Sequence, residues 1–316
     1  MADIKKIATR ESYGAALAEL GETHDIIVLD ADLSKSTKTE VFKKKFPERF
    51  INMGIAEANM MSTAAGLASC GKIVFASSFA MFAAGRAFEQ IRNSICYPNL
   101  NVKIGATHAG ISVGEDGATH QCLEDIGIMR TLPNMIILNP ADDTEAKAAV
   151  KAAVEHDGPV YLRFGRLGVP VLFDESYNFE IGKGVQLREG FDVTLVATGL
   201  LVGTALEAAK LLENKGISAR VLNIATIKPI DKDIIVKAAL DTGALVTCEE
   251  HNIIGGLGSA VAEVLCEIAP APLLRVGTED RFGKSGVPAK LFEDYGLTAE
   301  AIAMKAETAM GLKIRK

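Results

Sequence analysis

The chain has 316 residues, 48% of them hydrophobic and 23% charged, which is the composition of an ordinary soluble globular protein with room for two domains. Its net charge of −6 provides no broad basic face, and this argues against nucleic acid or an anionic membrane as a partner. No apolar run approaches the roughly 20 residues that span a bilayer, and the first residues lack the apolar core of a signal peptide. The five cysteines form no CxxC pair, so we expect reduced thiols and a cytoplasmic location.

Helices and strands alternate through the first half of the sequence. Tyr13, Ala16 and Leu17 recur at helical spacing, and Gly21 ends that helix. The predicted strands are short and apolar throughout, at 26–30, 50–53, 72–79, 101–106, 135–140 and 159–164. The predicted helices between them lie at 56–69, 83–96 and 142–156. Continuous apolar strands separated by helices are typical of a mostly parallel sheet that is covered on both faces.

The pattern breaks between residues 165 and 190, where prolines, glycines and mixed charges follow neither period. It then resumes with strands at 193–199, 219–225, 244–250 and 273–277 and helices at 201–215, 231–240 and 259–268. We therefore predict an α/β protein of two three-layer α/β/α domains with mostly parallel sheets. The predicted boundaries are 1–168 for the first domain, 169–190 for a linker and 191–316 for a smaller second domain.

A partial dinucleotide fingerprint occurs in the second half. Gly256 and Gly258 precede a predicted helix, but Val261 stands where the third glycine belongs. We interpret the two glycines as a tight turn with close helix packing rather than a nucleotide site.

The segment at 106–121, with sequence ATHAGISVGEDGATHQ, is rich in both glycine and ionisable groups. So many glycines exclude a regular helix or strand, and loops with titratable groups on a rigid scaffold often carry chemistry. The alternative is a structural loop whose histidines bond local carbonyl groups. A metal site formed by His108, Glu115, Asp116 and His120 is not expected, because their spacing matches no familiar ligand pattern.

Other features lie where the predicted strands of the first half end. Glu57 begins a buried apolar helix, at the sheet edge where ligands gather, although it could simply favour the helix dipole. Phe79 and Phe82 stand three residues apart and can face one pocket, or belong to the core. Arg10 and Arg166 lie near the two ends of this half, and isolated arginines usually form weak surface pairs.

Together these residues resemble a known family. The motifs GIAE at 54–57, FxxF at 79–82 and THAGISVGEDGATHQ at 107–121 resemble the pyrimidine-binding half of transketolases, followed by the transketolase C-terminal domain. The resemblance implies a thiamine-diphosphate enzyme that moves a two-carbon ketol unit between sugar phosphates, as from xylulose 5-phosphate to ribose 5-phosphate.

The sequence contains no Gly-Asp-Gly, the motif with which the amino-terminal domain of that family holds the diphosphate and its metal ion. The chain therefore resembles the C-terminal subunit of a split transketolase from the pentose phosphate pathway. The resemblance implies an N-terminal subunit as partner, an α2β2 heterotetramer, and Mg²⁺ or Ca²⁺ held by the partner. No metal ligand is assigned to this chain.

The resemblance also implies a set of cofactor-binding residues. Glu57 matches the glutamate that hydrogen-bonds a pyrimidine ring nitrogen, and Phe79 and Phe82 match the aromatic pocket around that ring. Gly85 falls where the family has a further aromatic residue, which predicts a more open pocket. Three other residues are expected beside the cofactor, namely Ile55, Asp32 and Leu33.

On the substrate side, four residues match the groups that bind the sugar phosphate, namely Arg10, Ser36, His108 and Arg166. Arg163 is kept as an alternative to Arg166. Asp116 matches the aspartate that contacts a donor hydroxyl, and His120 matches the histidine near the reacting carbon. The resemblance thus makes Glu57, His120 and His108 the catalytic residues.

Related activities remain open. Deoxyxylulose-phosphate synthases have a similar GIAE and DGxTHQ, whereas VGE at 113–115 is closer to transketolase. Ala58 and Asn59 after Glu57 depart from full-length transketolases, so a specialised subunit for an unusual sugar is a further alternative. The β subunit of 2-oxo-acid dehydrogenases is less expected, because it lacks the VGEDGxTHQ pattern. A different class is an inactive homologue that serves only binding or regulation.

Overall fold

The computed structural model describes residues 5–313, so residues 1–4 and 314–316 of the two predicted domains lie outside the described part. The strands are β1 (Lys6–Ala8), β2 (Ile26–Asp30), β3 (Phe50–Asn52), β4 (Ile73–Phe79), β5 (Val102–Thr107), β6 (Ile136–Leu138), β7 (Val160–Arg163), β8 (Gly168–Pro170), β9 (Val185–Arg188), β10 (Val193–Ala197), β11 (Ala219–Asn223), β12 (Thr226–Lys228), β13 (Leu245–Asn252) and β14 (Leu273–Thr278). The helices are α1 (Thr9–Leu20), α2 (Ser34–Thr37), α3 (Glu40–Lys45), α4 (Glu57–Ser69), α5 (Phe88–Gln90), α6 (Asp125–Arg130), α7 (Asp143–Glu155), α8 (Leu201–Glu213), α9 (Lys232–Thr242), α10 (Leu257–Glu267), α11 (Pro288–Asp294) and α12 (Ala299–Gly311).

The first sheet has seven strands in the order β12-β6-β7-β5-β4-β2-β3, and all pairs are parallel except β12 with β6. Helices α1 and α7 cover one face, where Tyr13 and Leu17 pack with Val150. Helix α4 covers the other face through Met60 and Met61. Because both faces are covered, the central strands are mostly apolar and buried, as predicted.

The second sheet has five strands in the order β14-β13-β10-β11-β9, parallel except for β9. Helices α8 and α12 pack on one face, and α9 and α10 pack on the other. The predicted fold class, two three-layer α/β/α units with mostly parallel sheets, is confirmed.

The segment between residues 165 and 190 is not irregular throughout. Strand β8 pairs with β1, and β9 joins the edge of the second sheet. Strand β12, from the second half of the chain, joins the edge of the first sheet. These strands contain or adjoin glycine, proline and charged residues and form no continuous apolar run, so the sequence pattern missed them. We propose that the domain division falls between β8 and β9, within the predicted linker 169–190.

The helix predicted at 83–96 starts earlier and is not uniform. Its segments Met81–Arg86 and Ile91–Cys96 have wide π-type turns on either side of α5. Phe82 therefore lies within the first helical turns, and Arg86 lies four residues after it. Such wide turns are frequent at functional sites.

The register of the first sheet aligns the ends of four strands. Asp30 pairs with Asn52 and with Ser77, and Phe79 pairs with Thr107. The strands are parallel, so the segments that leave their carboxyl ends emerge at one edge. Ligands bind at this edge in open α/β sheets.

Candidate active site

Two phenylalanines and two histidines form one aromatic cluster at this edge. The Phe79 ring lies 3.8 Å from the His108 ring, centroid to centroid, and stacks at 27°. The Phe79 and Phe82 rings are 5.8 Å apart and nearly parallel. His120 meets Phe82 edge-on at 5.2 Å. The sheet and the glycine-rich loop thus bring together four of the residues predicted from the sequence.

Glu57 reaches this cluster through Arg86, a residue that the sequence analysis missed. The Arg86 guanidinium lies 4.2 Å from the Phe82 ring centroid, and its Nη1 donates to Glu57 Oε1 at 3.1 Å. Glu57 is buried, whereas 53% of the Arg86 side chain is exposed. The signal that could have found Arg86 is its spacing of four residues from Phe82, which puts the two on one helical face.

His108 is held as a neutral imidazole in one tautomer. Arg10 Nη1 lies 3.1 Å from His108 Nε2, and a guanidinium can only donate, so Nε2 must accept. The ring proton is then on Nδ1, which lies 2.9 Å from Thr107 Oγ1. Arg10 Nη1 also donates to the backbone carbonyl of Ser36 at 3.0 Å. In this arrangement His108 orients Arg10 toward the site.

Burial and positive neighbours keep His108 uncharged. Burial, followed by the charges of Arg10 and Arg166, lowers the pKa of His108 to about 3. The residue also has a φ of 57°, in the left-handed region that non-glycine residues seldom adopt. Such backbone conformations concentrate at functional sites.

Arg166 lies beside the glycine-rich loop. Its Nη1 donates to the backbone carbonyl of Val113 and lies 3.4 Å from Glu115 Oε2. The Arg166 side chain is 35% exposed, so it remains accessible from solvent.

Arg163 is enclosed instead. Its Nε donates to Asp125 Oδ2 at 2.8 Å, and its Nη2 donates to the Glu250 carbonyl at 2.9 Å. Tyr161 donates a further hydrogen bond to the same Asp125 oxygen. Burial alone would lower the pKa of Arg163, but Asp125, Glu250 and Tyr161 together outweigh burial and raise it. Arg163 therefore joins the two sheets and does not face the aromatic cluster.

The remaining predicted residues take no part in the ring contacts of the cluster. Asp116 is exposed at the end of the loop turn Ile111–Asp116. Asp32 follows β2 and accepts a hydrogen bond from Asn52 Nδ2 at 2.9 Å. Leu33 is half-buried and Ile55 is 77% exposed, so Ile55 offers an apolar surface to solvent or to another chain.

The backbone N–H groups at the glycine turn before α10 already have a hydrogen-bond partner. Glu249 accepts hydrogen bonds from the backbone N–H groups of Leu257 and Gly258 at 2.7 and 2.8 Å. These are the donors that a dinucleotide would require, so the tight-turn interpretation agrees with the structure.

Within residues 5–313 we find no group of three or more His, Cys, Asp or Glu side chains that could hold a metal ion. Across the same residues, none of the helices combines the length and the apolar character needed to cross a membrane.

Both halves of the chain match models of known protein domains. The model of the transketolase pyrimidine binding domain matches residues 5–170, and that of the transketolase C-terminal domain matches residues 182–302. The chain belongs to the transketolase family. Its aromatic cluster and glycine-rich loop lie within the pyrimidine binding domain of this family.

Relatives of similar length make the assignment more specific. A protein of Methanocaldococcus jannaschii named as a transketolase C-terminal section is 53% identical over 300 residues, covering 94% of each chain. A 6-deoxy-6-sulfo-D-fructose transketolase subunit of Clostridium sp. is 44% identical over 298 residues, or 94% of this chain and 92% of that one. A solved split-gene transketolase, described as an inactive β4 tetramer, is 59% identical with a TM-score of 0.92, covering 98% of this chain and 100% of that one. The predicted correspondence to the C-terminal part of a split transketolase is confirmed.

Proposed function

We propose that this chain is the C-terminal subunit of a two-subunit transketolase. With its N-terminal partner it transfers a two-carbon ketol unit from a ketose phosphate such as xylulose 5-phosphate to an aldose phosphate such as ribose 5-phosphate. The observation that carries the proposal is the single sheet edge that presents a buried carboxylate, an aromatic pair and a cationic group together. When bound, thiamine diphosphate would supply the carbon nucleophile that accepts the ketol unit.

The residues around Glu57 fit the aminopyrimidine of that cofactor. A buried carboxylate beside aromatic rings can bond a ring nitrogen while the rings stack on the heterocycle. We assign Glu57, Phe79 and Phe82 to this contact, with Asp32, Leu33 and Ile55 at its edge. Arg86 shares one oxygen of the Glu57 carboxylate, so it lies next to the bound ring or moves aside for it.

The positive groups fit the phosphate of the sugar. Arg10 Nε is buried and has no hydrogen-bond partner within residues 5–313, which leaves a donor for an anion. We propose that Arg10, Ser36, His108 and Arg166 surround the phosphate, and that Arg166 rather than Arg163 takes part because Arg163 is enclosed. Each charge-assisted bond would contribute about 1.5–3 kcal/mol.

The loop residues are proposed to recognise the rest of the sugar. His120 Nδ1 lies 2.9 Å from Thr119 Oγ1, which leaves Nε2 to face the reacting oxygen and move its proton. Asp116 is an exposed acceptor for a donor hydroxyl. The proposed catalytic residues are Glu57, His120 and His108, of which His108 orients Arg10.

The partner is proposed to be an N-terminal subunit in an α2β2 heterotetramer, which would hold the diphosphate through Mg²⁺ or Ca²⁺. Two findings support it: the sequence has no Gly-Asp-Gly, and a 53% identical relative is named as a C-terminal section. The 59% identical neighbour is described as an inactive β4 tetramer, which agrees with inactivity of the C-terminal chain by itself.

Reconstitution tests the proposal. The chain is mixed with the N-terminal subunit, thiamine diphosphate and Mg²⁺, and ketol transfer from xylulose 5-phosphate to ribose 5-phosphate is assayed. We expect activity in the mixture and none from either subunit alone. Absence of transfer in a complex shown by gel filtration to contain both subunits would reject the proposal and favour a regulatory homologue.

A specialised donor is the second candidate, because a 44% identical relative is a 6-deoxy-6-sulfo-D-fructose transketolase subunit. A sulfonate and a phosphate are both anions that Arg10 and Arg166 can bind. Comparing kcat/KM for xylulose 5-phosphate and 6-deoxy-6-sulfofructose in the reconstituted enzyme separates the two. Pyruvate as donor tests the deoxyxylulose-phosphate synthase alternative.

A further inference from the structure

The glycine-rich loop is held by residues of the second sheet. Glu250, in β13, accepts a hydrogen bond from the Ser112 backbone N–H at 2.5 Å, and both residues are buried. Gly110 makes this approach possible, because a Cβ there would overlap the Glu250 carboxyl group. Gly110 also has a φ of 85°, so the turn at this point requires glycine.

A second set of contacts holds the other side of the loop. Gln121 Nε2 lies within 3.2 Å of the carbonyl oxygens of Ile111 and Gly114 and 2.9 Å from that of Lys284. Ser285 Oγ donates to the Glu115 carbonyl at 2.6 Å. Residues 284 and 285 precede α11, so this contact also comes from the second half of the chain.

We propose that the C-terminal domain positions the substrate-binding loop, with Glu250 as the main positioning residue and Ser285 as a second one. The inference rests on the proposed function, because it assigns the loop the task of reading the sugar phosphate. It gives the C-terminal domain a part in substrate recognition besides packing and association.

The physical reason lies in the conformational freedom of the loop. Gly110, Gly114 and Gly117 all have positive φ, and a segment with this many glycines has many accessible conformations. A buried carboxyl group that accepts a backbone N–H selects one of them, since breaking that bond would leave a buried donor and a buried acceptor without partners. Val113, next to Ser112, also offers its carbonyl to Arg166. Displacing Ser112 would therefore move a phosphate ligand as well as Asp116 and His120.

Hydrogen exchange on the isolated chain tests whether Glu250 holds the Ser112 amide, without any assumption about catalysis. In Glu250→Ala we expect exchange at the Ser112 amide to rise about tenfold or more, as for the loss of a buried hydrogen bond. Glu250→Gln should retain most of the protection, because its amide oxygen can still accept. Glu249→Ala is the matched control, since the neighbouring carboxylate bonds Leu257 and Gly258 instead. Unchanged Ser112 exchange in Glu250→Ala would overturn the inference.

Kinetics of the reconstituted enzyme test the link to recognition. We expect Glu250→Ala to raise KM for the sugar-phosphate donor about tenfold, more than it lowers kcat, while Glu249→Ala stays within about twofold. Equal effects of the two variants would overturn the positioning role. If Glu250→Ala does not fold, Ser285→Ala should show a smaller shift of the same kind, and its absence would count equally against the proposal. A wild-type complex without activity would reject the proposed function. The exchange experiment would then still test whether Glu250 holds the loop.

Discussion

The Glu57 carboxylate is buried and accepts a hydrogen bond from Arg86, whose guanidinium lies over the Phe82 ring. In the proposed function it bonds the cofactor's pyrimidine, so Glu57→Ala should slow exchange of the thiazolium proton by about 10²-fold or more. Exchange is measured by NMR after mixing the loaded complex with deuterated water. Affinity for the N-terminal subunit, measured by calorimetry, should change far less. Equal exchange rates in the variant and the wild type would remove Glu57 from the mechanism.

His108 makes stability depend on pH. Its folded-state pKa is lowered to about 3, so between pH 6.5 and pH 3 the unfolded chain binds the proton first. The contribution of His108 to the free energy of unfolding is fully present above pH 6.5. It is lost as the pH falls, by up to about 1.4 kcal/mol per pH unit. Urea unfolding of wild type and His108→Asn at pH 7, 6 and 5 measures this. The variant should lose less stability toward acid, whereas His24→Asn, outside the cluster, should follow the wild type.

At the scale of the element, the loop turn depends on backbone geometry that only glycine provides. Gly110→Ala adds a Cβ at a φ of 85° and against the Glu250 carboxyl group, so we expect a destabilisation of about 2 kcal/mol or more. Gly66→Ala is the contrasting control: Gly66 lies inside α4 with open space around it, and alanine there should stabilise by about 0.5–1 kcal/mol. Chemical denaturation reports both. Equal effects at the two sites would contradict the geometry of the turn.

At the scale of the whole molecule, a buried ion pair holds the arginine that connects the two sheets. Asp125 and Arg163 are buried, and Arg163 also bonds the Glu250 carbonyl in β13. Burial would raise the pKa of Asp125, but Arg163, His251 and two hydrogen bonds together lower it.

Removing one member of this pair leaves the other buried and uncompensated. We expect Asp125→Ala to lower the free energy of unfolding by about 3–5 kcal/mol. Glu155→Ala, which breaks the exposed pair between Lys151 and Glu155, should cost less than about 1 kcal/mol. Urea denaturation of both variants measures the difference. A small effect of Asp125→Ala would contradict the expected cost of leaving Arg163 buried and uncompensated.

Local patterns in the sequence were sufficient for the fold class. Mostly apolar runs such as 26–30 and 102–107 are buried on both faces, and a run of this kind can be recognised from neighbouring residues alone. The motif at 107–121 indicated the family, because glycines, acidic residues and histidines at that spacing are a highly specific pattern. The edge strands β8, β9 and β12 were missed, since none of them forms a continuous apolar run. Whether every assigned residue acts as proposed stays a prediction.

The tertiary structure decided the contacts between residues that are far apart in the chain. Sequence alone kept Arg163 as an alternative to Arg166, and the burial of Arg163 against Asp125 is the reason that the proposal takes Arg166 as the phosphate ligand. The sequence offered no sign that Arg86 bonds Glu57, which lies 29 positions away in the chain. It also offered no sign that Glu250 bonds Ser112, which lies 138 positions away. Hydrophobic periodicity is a property of adjacent residues and therefore determines helices, strands and layers. Pairing of charges and hydrogen bonds depends on which segments the sheets bring to one edge, and only the folded chain determines that.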